Sequence, residues 1–106
     1  HDTFGPVGPY LVTKDEINDV NNLNMELDLN GERMQTGNTK TMIFNVDHIV
    51  SYVSRYMSLQ PGDIITTGTP PGVGMGMKPQ KFLKAGDEMR LSIELLGEQK
   101  SKVVAI

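Results

Sequence analysis

The stretch that decides the fold of this chain is residues 24–32, Asn-Met-Glu-Leu-Asp-Leu-Asn-Gly-Glu. Apolar and polar side chains alternate strictly before the turn, so Met25 and Leu27 share one face of a strand. Asn30-Gly31 follows at once and favours a type I′ hairpin turn, because both positions need a positive φ. The sequence therefore predicts a β-hairpin whose return strand covers residues 32–36.

A second alternating run lies near the other end of the chain. Its apolar positions are Met89, Leu91, Ile93 and Leu95. Charged or polar residues separate them, which is typical of a half-buried strand, and Gly97-Glu98 turns the chain back into residues 99–105. Short strands are also predicted over residues 10–12 and 64–67, the second from its β-branched composition.

One amphipathic helix is predicted between these two β regions. Asn45 is a favourable N-cap, and Asp47 follows in the first turn, where its charge suits the helix dipole. Apolar residues then recur at helical spacing, namely Val46, Ile49, Val50, Val53 and Met57. The turn signal at residues 60–63 ends the helix. These elements predict a β-rich α+β fold, a mostly antiparallel mixed sheet with one helix.

Composition restricts the class of protein. A length of 106 residues fits one domain, and 38% hydrophobic with 22% charged residues supports a folded core. The net charge of -3 and the scattered Lys and Arg residues argue against a nucleic-acid partner. No run approaches the roughly 20 apolar residues of a membrane span. The absence of Cys excludes disulfides and thiolate metal sites, and it fits a reducing, cytoplasmic location.

Few side chains outside loops suggest chemistry. His1 and His48 are more simply interpreted as surface histidines than as catalytic ones. Glu26 and Asp28 share one strand face, which is the spacing that two metal ligands need. A solvated sheet face explains the same pattern fully and is the favoured interpretation.

The loop over residues 68–76, Gly-Thr-Pro-Pro-Gly-Val-Gly-Met-Gly, is the most suggestive segment. It lacks the Lys and Ser/Thr of a Walker A loop and the full dinucleotide-binding pattern. What remains is the Thr69 hydroxyl on a loop rich in accessible backbone N–H groups, a combination that suits a small carboxylate. On composition alone, a ligand site and an ordinary surface loop are about equally favoured.

Four stretches, taken in their order and spacing, carry a resemblance to a known family. They are residues 2–10, residues 29–32, Asn38-Thr39 with residues 42–44, and residues 59–65 running into residues 67–74. Together with residues 83–87 and 97–98 they resemble the C-terminal part of the fumarylacetoacetate hydrolase family. The likeness extends over essentially the whole chain.

The resemblance implies a β-rich fold around Mg²⁺ or Mn²⁺ held by two Glu and one Asp. It implies cleavage, isomerisation or decarboxylation of 2-oxo or β-diketo acids, in which the metal stabilises the enolate that forms. It assigns Thr69, with Gly68, to contact with the bound substrate, and Thr3 to a position near the metal shell. A small-molecule 2-oxo acid substrate and a homodimer are also implied.

The sequence departs from the family pattern in one respect. The family's metal-binding Glu-x-Glu pair and Asp, its acid/base residues and a stabilising Lys all fall upstream of His1. Residues 1–106 are therefore expected to be the C-terminal portion of a single catalytic domain, with no metal ligand and no catalytic residue of their own. We expect the isolated chain to be inactive. The alternative is a non-catalytic binding or dimerisation module that retains the β scaffold.

Overall fold

Residues 1–105 are described from a computed structural model. The described chain contains a sheet of four strands, which are β1 (Asn24–Leu29), β2 (Glu32–Asn38), β3 (Glu88–Ile93) and β4 (Gly97–Lys102). The strand order is β2-β1-β3-β4, and each neighbouring pair is antiparallel. With α1 (Val46–Val53), the one α-helix within residues 1–105, this confirms the β-rich α+β class.

The hairpin predicted from Asn30-Gly31 is confirmed. Both turn residues have positive φ, 52° at Asn30 and 82° at Gly31, as the tight turn requires. The return strand β2 is longer than predicted and ends at Asn38. The hairpin therefore supplies half of the sheet from one continuous segment of chain.

A β-bulge in this hairpin decides which face each β2 side chain occupies. Leu27 pairs with Gln35, but Asp28 pairs with Arg33, so Met34 is an extra residue in β2. Regular alternation would place Arg33 and Gln35 on the same face. Because the bulge breaks the alternation, Arg33 joins Asp28 on the polar face while Gln35 lies on the apolar face with Leu27.

Helix α1 begins as predicted but ends earlier. The Asn45 side chain accepts a hydrogen bond from the His48 backbone N–H at 2.8 Å, which confirms the N-cap. The Ser54 hydroxyl donates to the Val50 carbonyl at 2.7 Å where the helix ends, and Met57 beyond it is 60% exposed rather than packed. Within residues 1–105, no helix has the length and apolar character needed to cross a bilayer.

The strands predicted over residues 10–12 and 64–67 are wrong. Both segments are irregular backbone outside any strand, with Leu11 86% and Ile64 68% exposed. A strand needs a neighbouring strand to complete its hydrogen-bond ladder, and neither segment has one within residues 1–105. The β-branched composition of residues 64–67 therefore did not suffice to form a strand.

The described chain exposes more surface than a compact protein of its mass. Its accessible area is 8632 Å², against about 5,900 Å² expected for a folded monomer of this mass. Its buried apolar residues are Leu23 and Leu29, which are 4% and 5% exposed. The radius of gyration is 15.4 Å, where about 13 Å is usual. Residues 1–105 thus leave much of the apolar surface of the sheet and helix without cover.

Candidate functional site

A cavity of about 710 Å³ lies over the apolar face of the sheet. Its floor is formed by the inward side chains of the two central strands, Met25, Leu27, Leu91 and Ile93. Residues 6–12 border it on one side, and Gly68, Thr69 and Pro70 border it on the other. An apolar floor with a few polar groups at its border is the usual form of a small-molecule site.

The loop that carries Thr69 is held against the edge strand β2. Gln35 donates from Nε2 to the Thr69 hydroxyl oxygen at 2.9 Å and to the Pro70 carbonyl oxygen at 2.6 Å. Gly37 leaves the space that Pro70 fills, since a Cβ at Gly37 would lie 2.6 Å from the Pro70 Cβ. Gly72 passes so close to β2 that a Cβ there would clash with the Met34 carbonyl.

The opposite border of the cavity, residues 6–12, is held against the other edge strand, β4, again by a glutamine and a glycine. Gln99 donates from Nε2 to the Gly8 carbonyl oxygen at 3.2 Å. Gly97 leaves space for Tyr10, since a Cβ there would clash with the Tyr10 ring and hydroxyl. Each edge of the sheet thus uses a glutamine and a glycine to fix one border of the cavity.

The structure places the residues singled out in the sequence as follows. Thr69 and Gly68 both line the cavity, with Gly68 at a φ of 90°. Thr3 is exposed and does not line it, so its assignment to a metal shell stays a prediction. Neither histidine lines the cavity. His1 stacks on Phe4, and His48 stacks on Phe44 with the ring centroids 4.8 Å apart.

Gln35 is the site residue that the sequence did not reveal. In a regularly alternating strand, Met34 would face the apolar side and Gln35 the polar side. The bulge at Met34 reverses this arrangement, and no local sequence signal announces it.

Glu26 and Asp28 form part of an ion-pair ladder across the polar face of the sheet. Arg33 pairs with Asp28 and reaches Glu26 at 2.7 Å, while Arg90 reaches Asp28 at 3.3 Å. The ladder continues from Arg90 to Glu98 at 2.5 Å. The face is therefore polar, as expected, but its carboxylates are paired across strands rather than simply solvated.

These residues do not fit a divalent-metal site. Within residues 1–105, no three His, Cys, Asp or Glu side chains gather closely enough to hold an ion. The two carboxylates with suitable sequence spacing, Glu26 and Asp28, are already engaged by guanidinium groups. A metal bound there would have to displace Arg33 from both.

Replacing Asp28 with Asn should lower the stability of the protein at neutral pH and have little effect in acid. The hydrogen bond from Arg33 is the main cause that lowers the pKa of Asp28, assisted by Arg90. A lowered folded-state pKa gives stabilisation that is present above the unfolded pKa of about 3.9 and lost as the pH falls through the folded value. The check is the urea midpoint of Asp28→Asn at pH 7 and near pH 2, with the exposed Asp2→Asn as matched control. An equal deficit at both pH values would contradict this account.

Comparisons with known proteins show which proteins this chain is similar to. The sequence profile described as "Fumarylacetoacetate (FAA) hydrolase C-terminal" matches residues 1–104. A 2,4-didehydro-3-deoxy-L-rhamnonate hydrolase from Sphingomonas sp. strain SKA58 is 64% identical over 104 residues, which are 97% of this chain and 36% of that protein.

Solved structures share the fold. Maleylpyruvate hydrolase from Sphingobium sp. SYK-6, in complex with manganese(II) and pyruvate, superimposes with a TM-score of 0.84 at 39% identity, covering 93% of this chain and 35% of that one. A 2-hydroxyhepta-2,4-diene-1,7-dioate isomerase from Mycobacterium marinum gives 0.82 at 38% identity, covering 98% and 37%. This chain therefore spans a little over a third of the length of the relatives that it matches.

The sheet and these matches define a fold that this chain shares with proteins described as hydrolases and isomerases. The chain belongs to the fumarylacetoacetate hydrolase family and corresponds to its C-terminal region.

Proposed function

We propose that this chain is the C-terminal portion of a longer, cytoplasmic enzyme that acts on a 2-oxo or β-diketo acid. The proposed reactions are C–C bond hydrolysis, isomerisation or decarboxylation. The observation that carries the proposal is the Thr69 loop, which Gln35 fixes at the border of an apolar-floored cavity. The uncovered apolar surface supports the further claim that residues outside this chain complete the domain.

The proposed task of the cavity is to bind and orient the acid. The Thr69 hydroxyl would donate to a substrate carboxylate, and the positive φ of Gly68 brings the loop backbone to the cavity without a side chain in the way. The apolar side chains of β1 and β3 would exclude water from the carbon skeleton. A relative crystallised with pyruvate, itself a 2-oxo acid, supports this class of ligand.

The Mg²⁺ or Mn²⁺ of the proposed enzyme would need ligands from elsewhere in the whole protein. The Mn²⁺ in the maleylpyruvate hydrolase structure supports a divalent metal in the family. Because the described residues do not fit such a site, we propose no metal ligand among residues 1–105. The part of the reaction that residues 1–105 support is recognition of the acid.

The isolated chain is predicted to bind neither Mg²⁺ nor Mn²⁺ with useful affinity, whereas the full-length protein should bind one of them. Isothermal titration of both polypeptides measures this directly. The double variant Glu26→Gln/Asp28→Asn of the isolated chain should give the same metal titration as the unaltered chain, although the loss of the Arg33 ion pairs lowers its stability. Binding by the isolated chain that this double variant abolishes would show that the ion-paired face is a metal site after all.

The function itself is tested with a panel of 2-oxo and β-diketo acids on the full-length protein, with Mg²⁺ or Mn²⁺ added. Metal-dependent turnover of at least one acid supports the proposal. If the full-length protein binds a metal and turns over none of them, the proposed reaction class is wrong.

The second proposal is a binding or dimerisation module that retains the scaffold without catalysis. It is favoured by an exposed aromatic row on and beside α1, in which Tyr52 and Tyr56 lie 5.1 Å apart and are 52% and 71% exposed. Exposed aromatic residues of this kind are frequent at protein interfaces. A full-length protein that forms a homodimer but neither binds metal nor turns over substrate would favour this second function.

A further inference from the structure

Gln35 is the buried polar residue of the described chain, with 8% of its surface exposed. It lies on the apolar face of the sheet, where its neighbour across the hairpin is Leu27. A buried amide is costly unless it is hydrogen-bonded, so its partners define what it does. Both partners of its nitrogen belong to the Thr69 loop, and none belongs to the sheet.

The orientation of the Gln35 amide follows from the chemistry of those partners. The Pro70 carbonyl oxygen can only accept a hydrogen bond, so the amide atom 2.6 Å from it must be the nitrogen. The same nitrogen lies 2.9 Å from the Thr69 hydroxyl oxygen. Both amide hydrogens are therefore donated to the loop, and the Thr69 oxygen acts as an acceptor toward Gln35.

This arrangement leaves the hydrogen of the Thr69 hydroxyl for another acceptor. A hydroxyl has one hydrogen to donate and two lone pairs with which to accept. Since Gln35 occupies a lone pair, the hydrogen points away from Gln35, and the structure gives it no acceptor among residues 1–105. Thr69 lines the cavity, so the hydrogen is available to a ligand there.

We propose that Gln35 is a positioning residue that fixes Thr69 as a hydrogen-bond donor toward a carboxylate or keto oxygen of the substrate. The inference rests on the proposed function, in which Thr69 contacts the acid. It adds the direction of the hydrogen bond, with Thr69 as the donor and the acid as the acceptor. Groups that can only accept, such as a carboxylate, are favoured at this position over groups that must donate. The bulge at Met34 is the structural reason that Gln35 reaches the loop at all.

The test uses Gln35→Met and Gln35→Glu in the full-length protein, each alone and combined with Thr69→Ala. Met keeps the length of the side chain but donates nothing, so we expect KM to rise about tenfold with a smaller change in kcat. If Gln35 acts through Thr69, the same substitution in the Thr69→Ala background should change kcat/KM less than about twofold. Circular dichroism and the thermal midpoint monitor folding of each variant.

Gln35→Glu tests the role of Gln35 through the pH dependence of activity, which a purely structural role of Gln35 would leave unchanged. The ionised carboxylate that this substitution introduces would accept the Thr69 hydrogen and oppose both the Pro70 carbonyl and the substrate carboxylate, so we expect a loss of about 100-fold at pH 8. Protonation restores one donor, and burial raises the pKa of such a carboxyl above its usual value of about 4.3. Activity relative to the unaltered protein should therefore recover as the pH falls toward about 5.

The outcomes separate this inference from the proposed function. If Thr69→Ala retains full activity, the substrate contact is absent, and both proposals about this loop fail. If Thr69→Ala is impaired while Gln35→Met is not, or if the two losses are additive, only the positioning role fails. Should Gln35→Met not fold, the pH profile of Gln35→Glu decides, and a profile parallel to that of the unaltered protein overturns the inference.

Discussion

Thr69→Ala in the full-length protein is expected to lower kcat/KM for the preferred acid by about 10- to 100-fold. A hydrogen bond to a charged group contributes about 1.5–3 kcal/mol, and each 1.4 kcal/mol corresponds to a factor of ten. The substitution removes the hydroxyl at the cavity border and also leaves the Gln35 amide with only the Pro70 carbonyl as a partner. Steady-state kinetics over a range of substrate concentrations separates a rise in KM from a fall in kcat.

Thr69→Ser is the matched control, because serine retains the hydroxyl and loses only a methyl group. We expect it to keep most of the activity that Thr69→Ala loses. A decarboxylated or esterified analogue of the acid lacks the carboxylate. For this analogue, kcat/KM of Thr69→Ala should differ far less from that of the unaltered enzyme. Kinetics of Thr69→Ala equal to those of the unaltered enzyme would remove Thr69 from the site.

Gly72→Ala is expected to destabilise the protein strongly, costing about 3 kcal/mol or more in the free energy of unfolding. Gly72 has a φ of 110°, which L-residues rarely adopt, and an added Cβ would clash with the Met34 carbonyl of the edge strand. The loop must therefore move away from β2, which breaks the Gln35 contacts with Thr69 and Pro70. Urea unfolding measures the stability, and kcat/KM should fall at least as far as in Thr69→Ala.

Gly62→Ala separates the backbone strain of a positive φ from the steric clash with β2, the two causes of the instability expected for Gly72→Ala. Gly62 also has a positive φ, 98°, but an added Cβ there would meet no atom within 4 Å. Its substitution should therefore cost only the backbone strain of about 1–3 kcal/mol and leave the cavity intact. Equal losses of stability and activity in the two variants would mean that the close approach of Gly72 to β2 has no role in the site.

Local sequence features predicted much of the fold because their physical causes are local. The turn at Asn30-Gly31, the alternation in β1 and β3 and the Asn45 cap each depend on a few neighbouring residues. The predictions failed where the outcome depended on a distant partner. Residues 64–67 had the composition of a strand, but no neighbouring strand completes it within residues 1–105.

In the candidate site, too, features with local causes were predicted from the sequence and features that depend on distant residues were not. The loop over residues 68–76 and the hydroxyl of Thr69 were visible as a Gly/Pro-rich segment, and the resemblance to the family gave that segment a role. Gln35 was not visible, because a polar residue in an alternating strand predicts a solvent-facing side chain. Its burial depends on the bulge and on a loop that lies 34 residues further along the chain.

The sequence by itself thus determined the hairpin, the central strands, the helix start and the family, since each is written in short-range patterns or ordered motifs. The tertiary structure alone decided that the Thr69 loop packs against Gln35 and Gly37. It also decided that the segment containing Gly8 and Tyr10 packs against Gln99 and Gly97. The physical reason is that these contacts join residues far apart in the chain. Their geometry depends on the register of the sheet and on one extra residue in β2.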